Sequence, residues 1–197
     1  MNDAQVKELI LQSLEHEMGG VRIYETAVQC AQNPDLSEEF EKYLGQTRTH
    51  VEILRDVCAA MGIDPDEEAP GREVVRTVGT ALVEAMQKAQ GAGDPDAAEI
   101  VACEVVVLAE TKDHMDWELL GKCAEKLGAK QGKALKAACD KVEDEEDEHL
   151  YHSKGWAREL WLQSLGLKAV LPPPEERQHV KTAIGAARAE QASQKGR

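Results

Sequence analysis

The stretch VKELILQSLEHEMGGVRIYETAVQCA, residues 6–31, decides the fold, because its apolar residues recur at helical spacing and do not alternate as in a strand. NPD at residues 33–35 ends this helix, since proline cannot continue a helix and asparagine tolerates a turn. A second helix is predicted from about Leu36 to Met61, with Gly62 as its stop. The apolar positions of the first helix are Val6, Leu9, Ile10, Leu14, Met18, Val21, Tyr24 and Val28.

The rest of the chain is also predicted to be helical. DEEAPG (66–71) reads as a loop, followed by a shorter helix over 72–90. Asp94 can cap a third long helix that starts at Pro95 and runs to about Leu127. The turn GAKQG (128–132) then leads into a fourth long helix that ends near Leu165.

These helices predict an all-α fold, a four-helix bundle made of two antiparallel hairpins with a short extra helix in the crossover. We expect residues 1–170 to form this domain. PPP at 172–174 begins a C-terminal tail, residues 171–197, which is small, polar and expected to be partly disordered or a helical docking arm.

The composition excludes several classes of function. A net charge of −14 argues against binding nucleic acid, because phosphates would be repelled. No apolar run approaches the roughly 18 residues that a membrane span needs, and the N-terminus lacks the pattern of a secretory signal. Five widely spaced cysteines indicate reduced thiols in a cytoplasmic protein. A homodimer is the expected assembly on general grounds.

Acidic residues recur with the same spacing in the two hairpins. Glu17, Tyr24 and Glu25 in the first helix match Glu110, Trp117 and Glu118 in the third. Seven residues are about two helical turns, so each first Glu shares a face with its aromatic. Tyr24 and Trp117 are then core aromatics, or hydrogen-bond partners of acids. The positions Glu17/His50 and Glu110/His149 are each centred on a predicted turn, which places one Glu opposite one His in each hairpin.

The run EDEEDEHLYH, residues 143–152, is open to two interpretations. Most of its acids are expected to form a solvated surface, but Glu146 and His149 lie on one face towards the core. Glu145 is an alternative to Glu146 as a ligand. Charged groups at mid-bundle height are costly to bury unless they are paired or bind a cation. Carboxylate and imidazole ligands together suit iron, manganese or zinc better than calcium or magnesium.

These positions resemble the ferritin-like superfamily, the di-iron carboxylate bundles of the bacterioferritin and rubrerythrin kind, and in layout small bacterial stress-associated ferritin-like proteins. The resemblance covers about residues 5–165. It departs at Gln46 and Thr47, where the family carries a Glu, and Asp113 or His114 could compensate. The metal ligands that the resemblance implies are Glu17, His50, Glu110, Asp113, Glu146 and His149.

The resemblance implies a di-iron protein that handles iron or responds to oxidative or peroxide stress, with O2 or peroxide as a reactant. An oxidase- or peroxidase-type activity would follow, although the sequence leaves open whether the chain is an enzyme. The alternative function is a non-catalytic helical interaction or stress protein whose metal site is degenerate. Gln46 and Thr47 are the residues that favour this alternative.

Overall fold

The computed structural model describes residues 1–178, and these residues form α-helices with no β-strand among them. A short 3-10 helix, Pro174–Gln178, follows the last α-helix. The prediction of an all-helical chain is therefore confirmed. The five α-helices are α1 (Asp3–Cys30), α2 (Pro34–Met61), α3 (Pro70–Gly91), α4 (Pro95–Ala124) and α5 (Ala129–Ser164).

The helix ends follow local sequence signals. The side chains of Asn2, Asn33 and Asp94 accept hydrogen bonds from backbone amides at the starts of α1, α2 and α4. Proline occupies the first position of α2, α3 and α4, where its missing amide proton costs nothing. Gly62 ends α2 with a φ of 71°, a left-handed conformation that glycine adopts without strain.

The turn between α4 and α5 differs from the prediction. α4 ends at Ala124 rather than near Leu127, and α5 already begins at Ala129, so the predicted turn GAKQG is mostly the first turn of α5. Gly132 donates its amide to the carbonyl of Gly128 at 2.8 Å, as in a helix. A Cβ on Gly132 would lie 2.7 Å from the carbonyl oxygen of Ala124. This glycine therefore permits the close approach of α5 to α4 and does not break the helix.

α1 contacts three other helices, α2, α3 and α4, so it buries a wider face than one apolar stripe. Leu11 and Ile23, which lie outside the predicted stripe, are both 1% exposed. Met18 and Val28 belong to the predicted stripe but are only half-buried. The spacing predicts which residues can be helical, while the number of neighbouring helices decides how many are buried.

The core consists of two apolar clusters. One contains Tyr24, Phe40, Val106 and Trp156, and the other contains Ile10, Leu14, Leu54, Trp117 and Leu135 among its members. Along α1 the buried members of the cluster around Leu54 and Trp117 end at Leu14, and those of the cluster around Phe40 and Trp156 begin at Ile23. Glu17 lies between them, so a polar layer separates two apolar halves.

A buried ion-pair group fastens α3 to α1. Arg72 and Arg76 both donate to the carboxylate of Glu15 at 2.9 Å, and Glu15 and Arg72 are each 3% exposed. Burial opposes ionisation of Glu15, but the two guanidinium groups outweigh it and hold its pKa below the usual value. The carboxylate is therefore charged at neutral pH and compensates two arginines.

We expect Glu15→Gln to lower the free energy of unfolding by about 3 kcal/mol, because it leaves the buried Arg72 without its counter-charge. Glu25→Gln is the matched control: Glu25 also pairs with an arginine, Arg48, at 2.8 Å, but both side chains are largely exposed. Loss of that pair should cost less than about 1 kcal/mol. Urea unfolding of both variants measures the difference, and equal losses would contradict the special role of Glu15.

The first part of the C-terminal tail contacts α5. Pro173 is buried, and Glu175 forms an ion pair with Arg158 of α5. The predicted disorder or docking of the tail lies mostly in residues 179–197, outside the described residues, so it stays a prediction. None of the helices within residues 1–178 contains a stretch long and apolar enough to cross a membrane. All five cysteines are present as thiols.

Candidate functional site

Two acidic side chains face each other across the polar layer, each held by an aromatic residue of the opposite helix. Trp117 of α4 donates its Nε1 proton to Glu17 Oε1 of α1 at 2.9 Å. Tyr24 of α1 donates its hydroxyl proton to Glu110 Oε1 of α4 at 2.8 Å. The equal spacing of seven residues seen in the sequence thus corresponds to a reciprocal pair of hydrogen bonds. Each carboxylate is oriented by an aromatic side chain of the opposite helix.

Two histidines are oriented by a second reciprocal pair of contacts, between α2 and α5. His50 Nε2 lies 2.8 Å from Glu145 Oε2, and His149 Nε2 lies 3.1 Å from Gln46 Oε1. Because carboxylate and carbonyl oxygens only accept, both Nε2 atoms carry the proton. The Nδ1 atoms are then the ones that can give up a proton and offer a lone pair to a metal.

The Nδ1 atoms of both histidines point towards carboxylates. His50 Nδ1 lies 3.1 Å from Glu146 Oε1 and 3.5 Å from Glu17 Oε1. His149 Nδ1 lies 3.5 Å from Glu110 Oε2 and 3.6 Å from Glu146 Oε1. Despite this proximity, neither Nδ1 has a hydrogen bond of acceptable geometry to any described residue. The two imidazole rings are stacked with centroids 5.8 Å apart.

Glu146 lies at the centre of the arrangement. It belongs to both sets of three side chains whose ligand atoms lie within 4.8 Å of one another: Glu17, His50 and Glu146, and Glu110, Glu146 and His149. Asp113 is buried beside them. We call these six residues, Glu17, His50, Glu110, Asp113, Glu146 and His149, the central cluster.

The central cluster leaves many polar atoms unsatisfied. Every one of its six residues is at most 4% exposed. Buried polar atoms are nearly always hydrogen-bonded, since an unpaired one costs about 1–3 kcal/mol. The atoms that lack a hydrogen-bond partner within residues 1–178 are Glu17 Oε2, His50 Nδ1, Glu110 Oε2, Asp113 Oδ1, both Glu146 carboxylate oxygens and His149 Nδ1. Seven convergent orphan atoms, all potential ligands, fit a bound cation.

The electrostatics of the central cluster reflect this crowding of acids. Burial lowers the pKa of His50, but Glu146 and Glu17 outweigh it and raise that pKa to about 11. Burial, aided by Glu110, raises the pKa of Glu146 to about 7 although His50 opposes the shift. Burial and then Glu146 and Glu17 raise the pKa of Asp113 well above its usual value. A cation would take the place of these protons.

All six residues predicted as ligands are buried and brought together in one cluster. The structure places the alternatives of the sequence in different surroundings. Glu146 lies in the cluster. Glu145 instead accepts a hydrogen bond from His50 Nε2, on the side of the ring opposite to Nδ1. Asp113 points inward, whereas His114 lies nearer the surface and contacts Asp147 at 2.9 Å.

The match in spacing between α1–α2 and α4–α5 is incomplete. Gln46 and His50 correspond in spacing to Glu145 and His149, but Thr47 stands where α5 has Glu146. Thr47 is buried, and its hydroxyl donates to the carbonyl of Tyr43 at 2.9 Å. A Cβ at Gly20, which corresponds in spacing to Asp113, would lie 3.1 Å from the Thr47 side chain. Small residues of α1 and α2 therefore stand where α4 and α5 have two carboxylates.

Sequence reasoning missed a second buried polar network beside the central cluster. Glu39 Oε1 accepts from the Tyr43 hydroxyl at 2.6 Å and from His152 Nδ1 at 2.8 Å, and Glu39 Oε2 accepts from Trp156 Nε1 at 2.9 Å. The Tyr43 ring lies 4.3 Å from the His149 ring, centroid to centroid. His152, the last residue of the acidic run 143–152, is buried in this network. The i, i+4 spacing of Glu39 and Tyr43 was the available signal.

A comparison with protein-family models matches residues 11–154 to a family described as "Domain of unknown function (DUF892)". The chain belongs to this family. The matched range contains all six residues of the central cluster, so the cluster is part of the DUF892 domain. No curated protein and no solved structure gives a significant match to the chain.

Proposed function

We propose that this DUF892 chain is a ferritin-like four-helix bundle that binds two metal ions. The metal of this proposal is iron, with manganese or zinc as the alternatives, and the protein handles iron with O2 or peroxide. The observation that carries this proposal is the set of seven orphan ligand atoms in the central cluster. Their chemistry, oxygen with two imidazole nitrogens, suits first-row transition metals. Two overlapping groups that share Glu146 support two ions.

The order of contacts along the helices supports two antiparallel hairpins. Glu17 of α1 contacts His50 of α2, and Tyr24 of α1 contacts Tyr43 of α2, so residue numbers rise along α1 while those of the contacted residues fall along α2. Between α4 and α5, Glu104 contacts Trp161, Glu110 contacts His149 and His114 contacts Asp147. In this proposal α3 is the extra helix of the crossover, as the sequence predicts.

The six residues of the central cluster would hold the ions. When bound, iron would supply the electrons that reduce oxygen or peroxide. The protein's contribution is orientation and proton control. Trp117 and Tyr24 fix one oxygen each of Glu17 and Glu110, which leaves the other oxygen directed into the site. Burial and then Glu146 and Glu17 raise the pKa of Asp113 in the metal-free protein, so a bound ion would replace the Asp113 proton.

Anaerobic titration with ferrous iron tests the proposal. We expect binding of two ions per chain, one for each ligand group, followed by an absorbance change when O2 or peroxide is added. Purification without chelator and elemental analysis would show which metal the protein carries from the cell. Trace metal content, no ferrous binding and no spectral change would overturn the proposal.

A metal-free interaction or stress protein is the second candidate function. Thr47 and Gly20 favour it, because they remove the two carboxylates that a complete duplication would supply. This function predicts that His149→Ala leaves metal content and every measured activity unchanged. Under the metal proposal, the same variant loses iron.

We also propose a cytoplasmic homodimer. Five reduced thiols are typical of a reducing compartment. The exposed side chains Leu108, Met115 and Leu119 on one side of α4 offer apolar surface for a second copy. Light scattering of the purified chain tests the assembly.

A further inference from the structure

A cavity of about 520 Å³ lies between α4 and α5 and ends at the central cluster. Its inner wall includes Glu146 and Trp117, the residue that donates to Glu17. Its outer wall includes Glu118 and Glu143, which are exposed. The cavity therefore runs from the surface to a carboxylate that is 1% exposed and has no hydrogen-bond partner within the described range.

The charge of the cavity wall is strongly negative. Lys136 pairs with Asp140 at 2.7 Å and Lys122 lies 3.8 Å from Glu125. The wall thus has six acids against these two lysines, and no lysine or arginine among residues 1–178 forms a direct ion pair with Glu118 or Glu143. The acidic residues of the wall are Glu118, Glu125, Asp140, Glu143, Glu146 and Asp147.

Two other wall residues respond to this field. Burial and then Asp140 raise the pKa of the Cys139 thiol to about 11. Burial and then Asp147 and Glu118 raise the pKa of Tyr151. A cleft lined by one sign of charge concentrates ions of the opposite sign and speeds their capture.

The contact of His114 with Asp147 also lines the cavity. These two residues are the sequence neighbours of Asp113 and Glu146. Imidazole and carboxylate are the same ligand types as those of the central cluster. A second cavity, between α1 and α3, is lined by none of the six cluster residues and contains Lys112 instead.

We propose that the cavity between α4 and α5 is the access route by which hydrated divalent cations reach the central cluster, drawn in by Glu118 and Glu143. This inference rests on the proposed metal function and adds a path to it. The route acts on the rate of binding and not on the number of ions bound, because neither outer acid belongs to the central cluster.

Charge reversal at the mouth tests the attraction. Stopped-flow quenching of tryptophan fluorescence by cobalt(II) would give the association rate of the full chain. We expect Glu118→Lys/Glu143→Lys to slow association about tenfold at low ionic strength. The matched control is Glu38→Lys/Glu84→Lys, which replaces two exposed acids on α2 and α3. It changes the net charge of the chain by the same amount as the mouth variant. It should slow association less than about twofold, and salt should abolish the difference.

A neutral obstruction tests the path itself. Gly121 lines the cavity, and a Cβ there would have no heavy atom within 4 Å, so Gly121→Phe adds a bulky neutral side chain at the cavity wall. We expect it to slow association and dissociation by the same factor and leave the metal content unchanged. Gly91→Phe at the end of α3, where a Cβ also meets nothing within 4 Å, is the control. Thermal melting checks that both variants fold.

The outcomes separate the route from the metal site. If the unmodified chain binds cobalt(II) normally but the mouth variants and their controls behave alike, the route is wrong and the metal site stands. If the unmodified chain binds no cobalt(II), the metal site itself is wrong and the route falls with it.

Discussion

Glu146→Gln is expected to abolish the binding of both metal ions, because Glu146 is the one residue shared by the two ligand groups. The substitution keeps the shape of the side chain and removes its charge. Loss of a residue that hydrogen-bonds to a metal ligand typically weakens metal affinity by about 10–100-fold. Loss of a ligand shared by both ions should therefore weaken the affinity at both positions by more than about 100-fold. Elemental analysis and a cobalt(II) titration of the purified variant measure this.

Glu148→Gln provides the control within the same acidic run. Glu148 pairs with Lys42 near the surface and belongs to neither ligand group. Its substitution should leave two ions bound. If Glu146→Gln also retains two ions, Glu146 is not the shared ligand.

The metal-free protein should tolerate Glu146→Gln. Burial, aided by Glu110, raises the pKa of Glu146 to about 7 in the metal-free protein, so the side chain is partly neutral at neutral pH and glutamine has the shape of that neutral form. We therefore expect the free energy of unfolding of the metal-free variant, measured in chelator, to be no lower than that of the unmodified chain. Loss of metal then cannot be attributed to loss of the fold.

The sequence predicts much of the fold because its signals are local. Asn33, Asp94 and the prolines after them mark helix starts by hydrogen bonds and backbone angles that involve only neighbouring residues. The turn after α4 was misplaced because Gly132 has a long-range reason to be glycine, its contact with Ala124. A glycine in a turn and a glycine at a helix crossing look the same in a sequence.

The proximity of the six central-cluster residues was predictable because it depends on height and face along the helices. Glu110 and His149 lie close together although the turn lies about three residues from its predicted place. Three residues are about 4.5 Å along a helix, which the two side chains can span. The seven-residue spacing between Glu110 and Trp117 predicts that Glu110 shares a helix face with a core aromatic. This prediction does not depend on where the turn lies.

The orienting partners were not predictable in the same way. In the sequence, Gln46 differs from the Glu that the resembled family carries, and Glu145 is only an alternative to Glu146 as a ligand. Gln46 contacts His149 and Glu145 contacts His50, so both contacts join α2 to α5. The distance between two helices cannot be deduced from the sequence of either helix. The shared spacing of four residues to a histidine was visible, but its meaning required the structure.

Glu145→Gln is expected to weaken one metal position by about 10–100-fold and leave the other nearly unchanged. Glu145 accepts the Nε2 proton of His50, and its negative charge makes the opposite nitrogen a better ligand. His149 has only the neutral Gln46 in this place. Hydrogen bonds to a charged group are roughly twice as strong as neutral ones. The two positions should therefore differ in the unmodified chain and become similar in Glu145→Gln.

Gln46→Ala should act on the other position and less strongly, by less than about tenfold, because it removes only a neutral acceptor. Competition titration of each protein with zinc and a chelator gives the two stepwise affinities. Melting of the metal-free forms controls for a merely structural effect, which should be small for Glu145 because its side chain is 37% exposed. If both affinities fall together in Glu145→Gln, the carboxylate does not act through His50. A fall in the tighter affinity alone would show that the unequal partners of the two histidines make the two metal positions unequal.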